Sequence, residues 1–356
     1  MTEHVEIEKA ALPARARPNL LPPNFQDAGG LFLRILQTRN PAAYFAVAHT
    51  ALAIATAPLD QLLRRFERRL YARAEAPKKP IVFVGGAPRS GTTILEQVLV
   101  GSLPVTYFNN LTAVFPRSPI MANRIFGRLL RKPSKELQNF YGRTSGFGNR
   151  NDGLHLWDRW LGNDRYRPPT AMAPEVADDM RRFFGAFEAA FGGPIINKNN
   201  ALAICADVIG AALPTSHFVC IRRQPLYAVQ SILGTREFIQ GKREAPYGVG
   251  DPAYTAPPGS NPIEEVCAQV LYTERRMAEL QKTLGPKRFW VIEYEEFCEA
   301  PHVVVERVAD EILGITIDSG AVRAAMPPLK STNKSKLSPH EHERIEATLA
   351  RLSARS

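Results

Sequence analysis

The amino-acid sequence predicts an α/β fold of three layers: a central parallel sheet flanked by helices, plus an N-terminal helical extension. Short apolar runs alternate with helical segments after residue 80, as in a parallel sheet covered on both faces. A glycine-rich segment separates the first of these runs from a helix, whereas the earlier residues contain no such run. We therefore expect an N-terminal arm and helical extension over residues 1–79 and one α/β domain over residues 80–356.

The N-terminal region divides into three segments. Residues 1–30 are rich in Pro and Ala and predict an extended arm, whereas residues 42–57 carry no formal charge. A transmembrane helix needs about 20 strongly apolar residues, so the second segment is too short to span a membrane. Residues 59–79 hold seven Lys and Arg against three acids, a local net charge of +4.

Apolar residues recur with helical spacing inside the third segment, opposite a set of arginines. The apolar residues are Leu62, Leu63, Phe66 and Leu70, and the arginines are Arg64, Arg65, Arg68 and Arg69. We expect two helices packed on the α/β domain, with the basic face of the second in solvent. The alternative is peripheral contact with the inner face of a membrane through residues 42–79.

Four apolar runs are the predicted strands: residues 81–84, 194–197, 217–221 and 288–292. Helices are predicted over residues 92–100, 201–213 and 301–313, from Pro225 onward, and after the capping box that begins at Ser338. Residues 141–170 and 236–262 are predicted as long irregular loops, which usually act as lids or binding loops. The aromatic residues Trp157, Trp160 and Tyr166 in the first loop would suit an acceptor pocket.

The segment Gly86-Ala-Pro-Arg-Ser-Gly91-Thr92-Thr93 lies between the first strand and a helix. Backbone N–H groups and a helix N-terminus at such a turn form a cradle for phosphate. Thr92 occupies the position at which a nucleoside-triphosphate enzyme of this spacing carries lysine. The predicted strand 217–221 also ends in two arginines instead of a magnesium-binding Asp. The pattern thus disfavours a kinase-like P-loop enzyme, which stays as an alternative.

The segment from Pro88 to Thr93 resembles the 5′-phosphosulfate loop of sulfotransferases, which use 3′-phosphoadenosine 5′-phosphosulfate (PAPS). The second motif of that family, Arg-x-Pro after a strand and a serine in the next helix, is similar to Arg223-Gln-Pro with Ser231. Three further segments resemble the branch that contains tyrosylprotein and glycan-type enzymes: Asn197-Lys198-Asn199, Tyr294-Glu-Glu-Phe297 and Lys330-Ser331-Thr332-Asn333-Lys334. The resemblance covers about residues 80–350 and implies a fold of the P-loop type.

The resemblance also implies roles for individual residues. It assigns the 5′-phosphosulfate to Pro88, Arg89, Ser90, Gly91, Thr92 and Thr93, and the 3′-phosphate to Arg223 and Ser231. Tyr294, Thr332, Asn333 and Lys334 are further residues implied for nucleotide binding. Arg89, Lys198 and Ser331 are implied as catalytic residues that stabilise the leaving group, and the scheme requires no metal.

The general base is the one role for which the resemblance fails, because Asn110 stands where the tyrosylprotein branch has Glu. Other branches use His, so His155 is the candidate, with Asp158 in reserve. The alternative for His155 is simple packing against Trp157. A catalytically inactive protein that binds adenosine 3′,5′-bisphosphate (PAP) at a membrane surface is therefore a second interpretation.

Composition bounds the partners. Lys and Arg outnumber Asp and Glu by 45 to 35, a formal net charge of +10, which favours an anionic ligand or partner. No helix-turn-helix, zinc-finger or RNA-binding signature is recognisable, so we expect no nucleic acid. Four cysteines without a C-x-x-C pair, and no secretory signal, predict a cytoplasmic protein. The expected acceptor is a glycan, glycolipid or lipid, and a small alcohol or phenol is second.

Overall fold

The computed structural model describes residues 27–129, 142, 144–254, 261–326 and 328–354. Its centre is a five-stranded sheet in the order β2-β3-β1-β4-β5, in which every pair of neighbours is parallel. The strands are β1 (Ile81–Gly86), β2 (Thr106–Tyr107), β3 (Ile195–Lys198), β4 (Ser216–Arg222) and β5 (Phe289–Glu293). The prediction of a central parallel sheet flanked by helices is confirmed.

Helices precede the sheet, cover it and close the described chain. They are α1 (Ala28–Gln37), α2 (Pro41–Ala55), α3 (Ala57–Arg73), α4 (Thr92–Ser102), α5 (Asn110–Val114), α6 (Pro119–Phe126), α7 (Leu154–Leu161), α8 (Pro174–Phe191), α9 (Ala206–Ala212), α10 (Pro225–Gln240), α11 (Pro262–Leu284), α12 (Tyr294–Glu299), α13 (Pro301–Arg307), α14 (Ser319–Ala325) and α15 (Pro339–Ser353). A π-helical turn, Val308–Leu313, continues α13.

The alternation of side chains along β1 explains the layers. Ile81 and Phe83 point into a core shared with α7, α8, α9 and α11. Val82 and Val84 point the other way, into a core shared with α4, α12 and α13. Because both faces are buried, the strand is apolar throughout, as parallel strands in α/β proteins are.

The stretch 141–170, predicted as irregular, contains helix α7. Trp157 is only 1% exposed, and its Nε1–H donates to Asn197 Oδ1 at 2.7 Å. Trp160 also lies in the core, and Trp157 lines a small cavity together with Asp158 and Asn199, so the acceptor pocket in this stretch stays a prediction. Aromatic residues at helical spacing here form a packed face. Tyr141 lies outside the described residues.

Two other boundaries differ from the sequence predictions. The stretch 236–262, predicted as irregular, begins inside α10, which continues to Gln240. The single helix predicted over residues 201–213 is divided into a 3₁₀ turn, Asn200–Ala203, and helix α9. The predicted arm reaches residue 30, but α1 already begins at Ala28, and residues 1–26 lie outside the described part of the chain.

Helix α3 packs with part of the predicted apolar face, since Leu63 is buried and Leu70 packs against the core, together with two acidic residues. Its buried residues are Asp60, Leu63 and Glu67, whereas Leu62 and Phe66 are exposed. No single described helix is long and apolar enough to cross a membrane, although α2 and α3, bent by 69°, meet that test of length and composition as a pair.

Candidate active site

The phosphate loop connects β1 to α4 at the carboxyl edge of the sheet. Gly86 and Gly91 both have positive φ, at 150° and 105°. A Cβ atom on Gly86 would lie 2.3 Å from the carbonyl oxygen of Ile221, and one on Gly91 would lie 2.6 Å from the Tyr294 ring. Only glycine fits at either position, so the loop can lie close to β4 and α12.

Arg89, at the tip of the loop, has φ of 68°. A non-glycine residue in this left-handed region costs free energy, and such strain is found mainly at functional sites. Its Nε–H donates to Ser231 Oγ at 3.1 Å. The residues predicted for the 5′-phosphosulfate and for the 3′-phosphate are therefore in direct contact.

Arg223, directly after β4, joins three distant segments. Its guanidinium donates to Asn333 Oδ1 at 2.7 Å, to Thr332 Oγ1 at 3.1 Å and to the carbonyl of Arg89 at 3.2 Å. The same group stacks 4.8 Å from the centre of the Tyr294 ring. The phosphate loop, the Arg-x-Pro segment and the late loop 330–334 thus meet at one point.

The remaining residues predicted for nucleotide binding lie around this point with unequal exposure. Tyr294 Oη bonds to the backbone N–H and to Oγ1 of Thr332, both at 3.2 Å. Ser331 and Lys334 are exposed; Ser331 Oγ accepts from the N–H of Asn333, and the Lys334 carbonyl accepts from Gln230.

The other residues of the phosphate loop make contacts within the domain. Ser90 Oγ donates to the Ala87 carbonyl, and Thr92 Oγ1 donates to Asn200. Thr93 lies beside Gly142, and Pro88 lies beside Gly248.

Lys198, at the end of β3, forms an ion pair that the sequence does not reveal. Its register partner on β1 is Val84, and its Nζ lies 2.6 Å from Asp152 Oδ2. The lysine side chain is 4% exposed and that of Asp152 38%. Burial by itself lowers the pKa of Lys198, but the charge of Asp152, and that of Glu96 where it is ionised, outweigh burial and raise the pKa. The ammonium group therefore stays charged although the lysine side chain is buried.

Glu96, on the second turn of α4, lies close to the Lys198–Asp152 ion pair. It is 2% exposed, and its Oε1 has no hydrogen-bond partner among the described residues. Burial raises the pKa of Glu96 to about 8, although the charge of Lys198 acts in the opposite direction. The Glu96 carboxyl is therefore largely protonated at neutral pH.

Asn110 holds the loop that carries Asp152. Its amide nitrogen donates to the carbonyls of Thr144 and Gly146, at 2.9 and 2.8 Å. Its amide oxygen accepts from Asn151 Nδ2 at 2.9 Å. The residue that replaces the expected glutamate therefore positions the loop immediately before Asp152.

His155 lies in the first turn of α7, three residues after Asp152. Its Nε2 is buried and has no hydrogen-bond partner in the described part of the chain. Burial, with the charge of Arg159 as the next cause, lowers the pKa of His155 to about 3. The imidazole is neutral at physiological pH but only weakly basic. The reserve candidate, Asp158, is paired with Arg165.

The geometry brings together Arg89, Ser231, Arg223, Tyr294 and the late loop on one side, and Lys198 with Asp152 and Glu96 on the other. Asp152 and Glu96 were missed from the sequence. Asp152 belongs to the segment 151–158 that supplied His155, but nothing in its spacing marks it. Within the described ranges, no group of three His, Cys, Asp or Glu side chains is arranged to hold a metal ion.

A phosphate cradle, a buried lysine and an arginine meet at the carboxyl edge of the parallel sheet, which is where nucleotides bind in open α/β folds. Residues 80–318 match the sequence profile of the sulfotransferase family. The chain belongs to the sulfotransferase family, whose reaction is sulfuryl transfer. No curated protein sequence matches it.

Two mycobacterial sulfotransferases are similar in fold. STF9 from Mycobacterium avium has a TM-score of 0.56 at 14% identity, and the alignment covers 91% of this chain and 90% of that one. STF1 from Mycobacterium tuberculosis H37Rv has a TM-score of 0.52 at 14% identity and covers 92% of each chain. At this level of identity the similarity concerns the fold alone.

Proposed function

We propose that this protein transfers the sulfuryl group of PAPS to a hydroxyl or amine of a glycan, glycolipid or lipid acceptor. The observation that carries the proposal is the position of Arg223. Its guanidinium contacts the phosphate loop and the late loop at once and stacks on Tyr294. An arginine so fixed is preorganised for a phosphate, because its donors point in set directions.

The residues present fit such a donor. The start of α4, directly after the glycine-containing loop, supplies N–H groups for the 5′-phosphosulfate. Arg223 and Ser231 are placed to hold the 3′-phosphate. When bound, the donor supplies an activated sulfuryl group. Arg89 and Lys198 then stabilise the negative charge that grows on the leaving phosphate oxygen.

We further propose that Asp152 accepts the proton of the acceptor. Its Oδ2 lies 2.6 Å from Lys198 Nζ, and its side chain is more exposed than that of the lysine. A hydroxyl bound against Asp152 would lie beside the cation that faces the leaving group. The acceptor oxygen forms its bond to sulfur as the sulfur–oxygen bond to the phosphate breaks, and its proton passes to Asp152. His155 remains the second candidate.

Donor binding is tested by thermal-shift titration with PAP and, separately, with ATP and magnesium. We expect PAP to raise the melting temperature, since a ligand that binds only the folded state stabilises it. Arg223→Ala should abolish the shift, and Arg222→Ala should retain it because Arg222 is exposed and pairs with Glu293. Stabilisation by ATP alone would refute the proposal and favour a kinase-like enzyme.

The base is tested by single-turnover transfer of ³⁵S from labelled PAPS. Asp152→Asn should lower the rate by about a hundredfold or more while the PAP-induced thermal shift persists. The matched control is Asp164→Asn, on the adjoining loop. If His155→Ala shows this loss and Asp152→Asn does not, His155 is the base. If PAP binds but neither substitution matters and no transfer occurs, the protein is an inactive PAP-binding protein.

The acceptor class is tested by mass spectrometry of lipids and glycans from cells with and without the protein. A product heavier by one sulfuryl group, absent with Asp152→Asn, would identify the acceptor. A product found only among small phenols would overturn the glycan or lipid assignment.

We also propose a cytoplasmic location, since all four cysteines are buried and unpaired, as in a reducing compartment.

A further inference from the structure

Exposed apolar side chains are concentrated on helices α1 to α3. In the described part of the chain, nine of the eleven exposed large hydrophobic residues lie between residues 32 and 66. They are Phe32, Leu33, Leu36, Tyr44, Leu52, Ile54, Leu59, Leu62 and Phe66. Isolated exposed hydrophobic residues are ordinary, but such concentration in one segment is typical of an interaction surface.

The exposed apolar residues of α3 form a stripe, defined here as Leu59, Leu62 and Phe66. Their spacing of three and four residues places them on one side of the helix. The stripe is not the face that holds α3 on the domain, because the buried positions are Asp60, Leu63 and Glu67.

Two buried carboxylates fix this orientation by binding the N-terminal end of α6. Asp60 accepts from Ser118 Oγ at 2.7 Å, and Glu67 accepts from the backbone N–H of Ile120 and Met121 at 3.2 and 2.8 Å. The first N–H groups of a helix have no partner inside the helix, and its positive end attracts carboxylates. Rotation of α3 to bury its stripe would break these bonds, so the stripe stays exposed.

Arginines flank the stripe and supply the charge that selects a partner. Arg65 and Arg69 each follow a stripe residue by three positions, and both are exposed. The Arg69 guanidinium lies 5.6 Å from the centre of the Phe66 ring. An apolar stripe bordered by arginine is typical of a helix that lies in the surface of an anionic membrane.

We propose that α3, with the end of α2, docks the protein on an anionic lipid bilayer. The stripe enters the boundary between headgroups and acyl chains, while Arg65 and Arg69 contact lipid phosphates. The helix lies along the bilayer and does not cross it, because Asp60 and Glu67, two turns apart, bind it to α6. Docking through α3 depends neither on the sulfuryl donor nor on the transfer reaction.

The test is co-sedimentation of the full chain with vesicles of phosphatidylcholine alone, or of phosphatidylcholine with phosphatidylglycerol. We expect binding to the anionic vesicles that weakens as salt is added. The double substitution Leu62→Ser and Phe66→Ser should reduce the partition coefficient by about tenfold or more, since two apolar side chains no longer enter the bilayer. Arg65→Gln with Arg69→Gln should remove the preference for anionic lipid.

The matched control carries Ile125→Ser and Val303→Ser, which among the described residues are the two exposed large hydrophobic side chains outside residues 32–66. It should bind vesicles as the unmodified chain does, and circular dichroism should show that every variant is folded. Equal binding by the Leu62/Phe66 variant, or no binding of the unmodified chain, would overturn the proposal. A dimer of the unmodified chain in sedimentation velocity would also overturn the proposal if the Leu62/Phe66 variant were monomeric. The stripe would then bind a second copy of the chain.

Discussion

Replacement of Glu96 by glutamine should change how stability depends on pH. The pKa of Glu96 is about 8 in the folded protein, against 4.5 for an ordinary glutamate. Between these values the folded state holds a proton that the unfolded chain has released. The contribution of Glu96 to the free energy of unfolding is therefore largest below pH 4.5 and is lost as pH rises through 8.

Between the two pKa values, one released proton changes the free energy of unfolding by about 1.36 kcal/mol for each pH unit. Between pH 6 and pH 8 the unmodified protein should lose about 2 kcal/mol through this carboxyl alone. Glutamine has nearly the same shape and no proton to lose, so Glu96→Gln should lose about 2 kcal/mol less over the same range. Burial also raises the pKa of Glu67 to about 7, but that contribution is common to both proteins and cancels in the comparison.

The assay is urea unfolding at pH 6, 7 and 8 without nucleotide, followed by circular dichroism. The control is Glu299→Gln, which replaces an exposed carboxylate at the end of α12 and should follow the unmodified protein. Parallel pH profiles for the Glu96→Gln variant and the unmodified protein would refute the reasoning. They would mean that Glu96 is already ionised beside Lys198.

Two further predictions concern the backbone of the phosphate loop and the contact between α3 and α6. Gly91→Ala should lower the free energy of unfolding by about 2 kcal/mol, because the methyl group meets the Tyr294 ring at a positive φ. Gly101→Ala, in open space on the same helix, should instead stabilise by about 0.5–1 kcal/mol, and urea titrations of both variants test this pair. Glu67→Ala should cost about 2 kcal/mol by leaving two backbone N–H groups unpaired. The exposed Glu75→Ala should cost little, and equal losses for these two variants in urea titrations would contradict the role given to Glu67.

The central sheet was predictable because its four longer strands are apolar on both faces and carry their own signal. The short strand β2, Thr106–Tyr107, has only two residues and is held as a strand by its pairing with β3. A strand of two residues is too short for a local sequence pattern to predict it. The nucleotide side of the site was predictable for a related reason, since Arg223 follows β4 directly and Arg89 lies three residues after β1.

The acceptor side was not predictable, because its side chains are placed by contacts between distant segments. Asp152 reaches Lys198 through a loop whose backbone is fastened to Asn110. The orientation of α3 likewise depends on Glu67 and a helix terminus more than fifty positions later in the sequence. Hydrophobic periodicity alone assigns Leu62 and Phe66 to the packed face, where they are exposed, since it takes no account of a buried carboxylate with two donors.

The junction at Arg223 has a consequence for the order of events during synthesis. The guanidinium donates to the carbonyl of Arg89 and to the side chains of Thr332 and Asn333. Its set of hydrogen-bond partners is therefore complete only when the late loop is present. Contacts so far apart in sequence form late in folding, because the intervening chain must first be ordered. A nascent chain that still lacks residues 330–334 would therefore already possess its phosphate loop but not the complete set of contacts around Arg223. Under the proposed function, the nucleotide would assist folding only after residues 330–334 have been made.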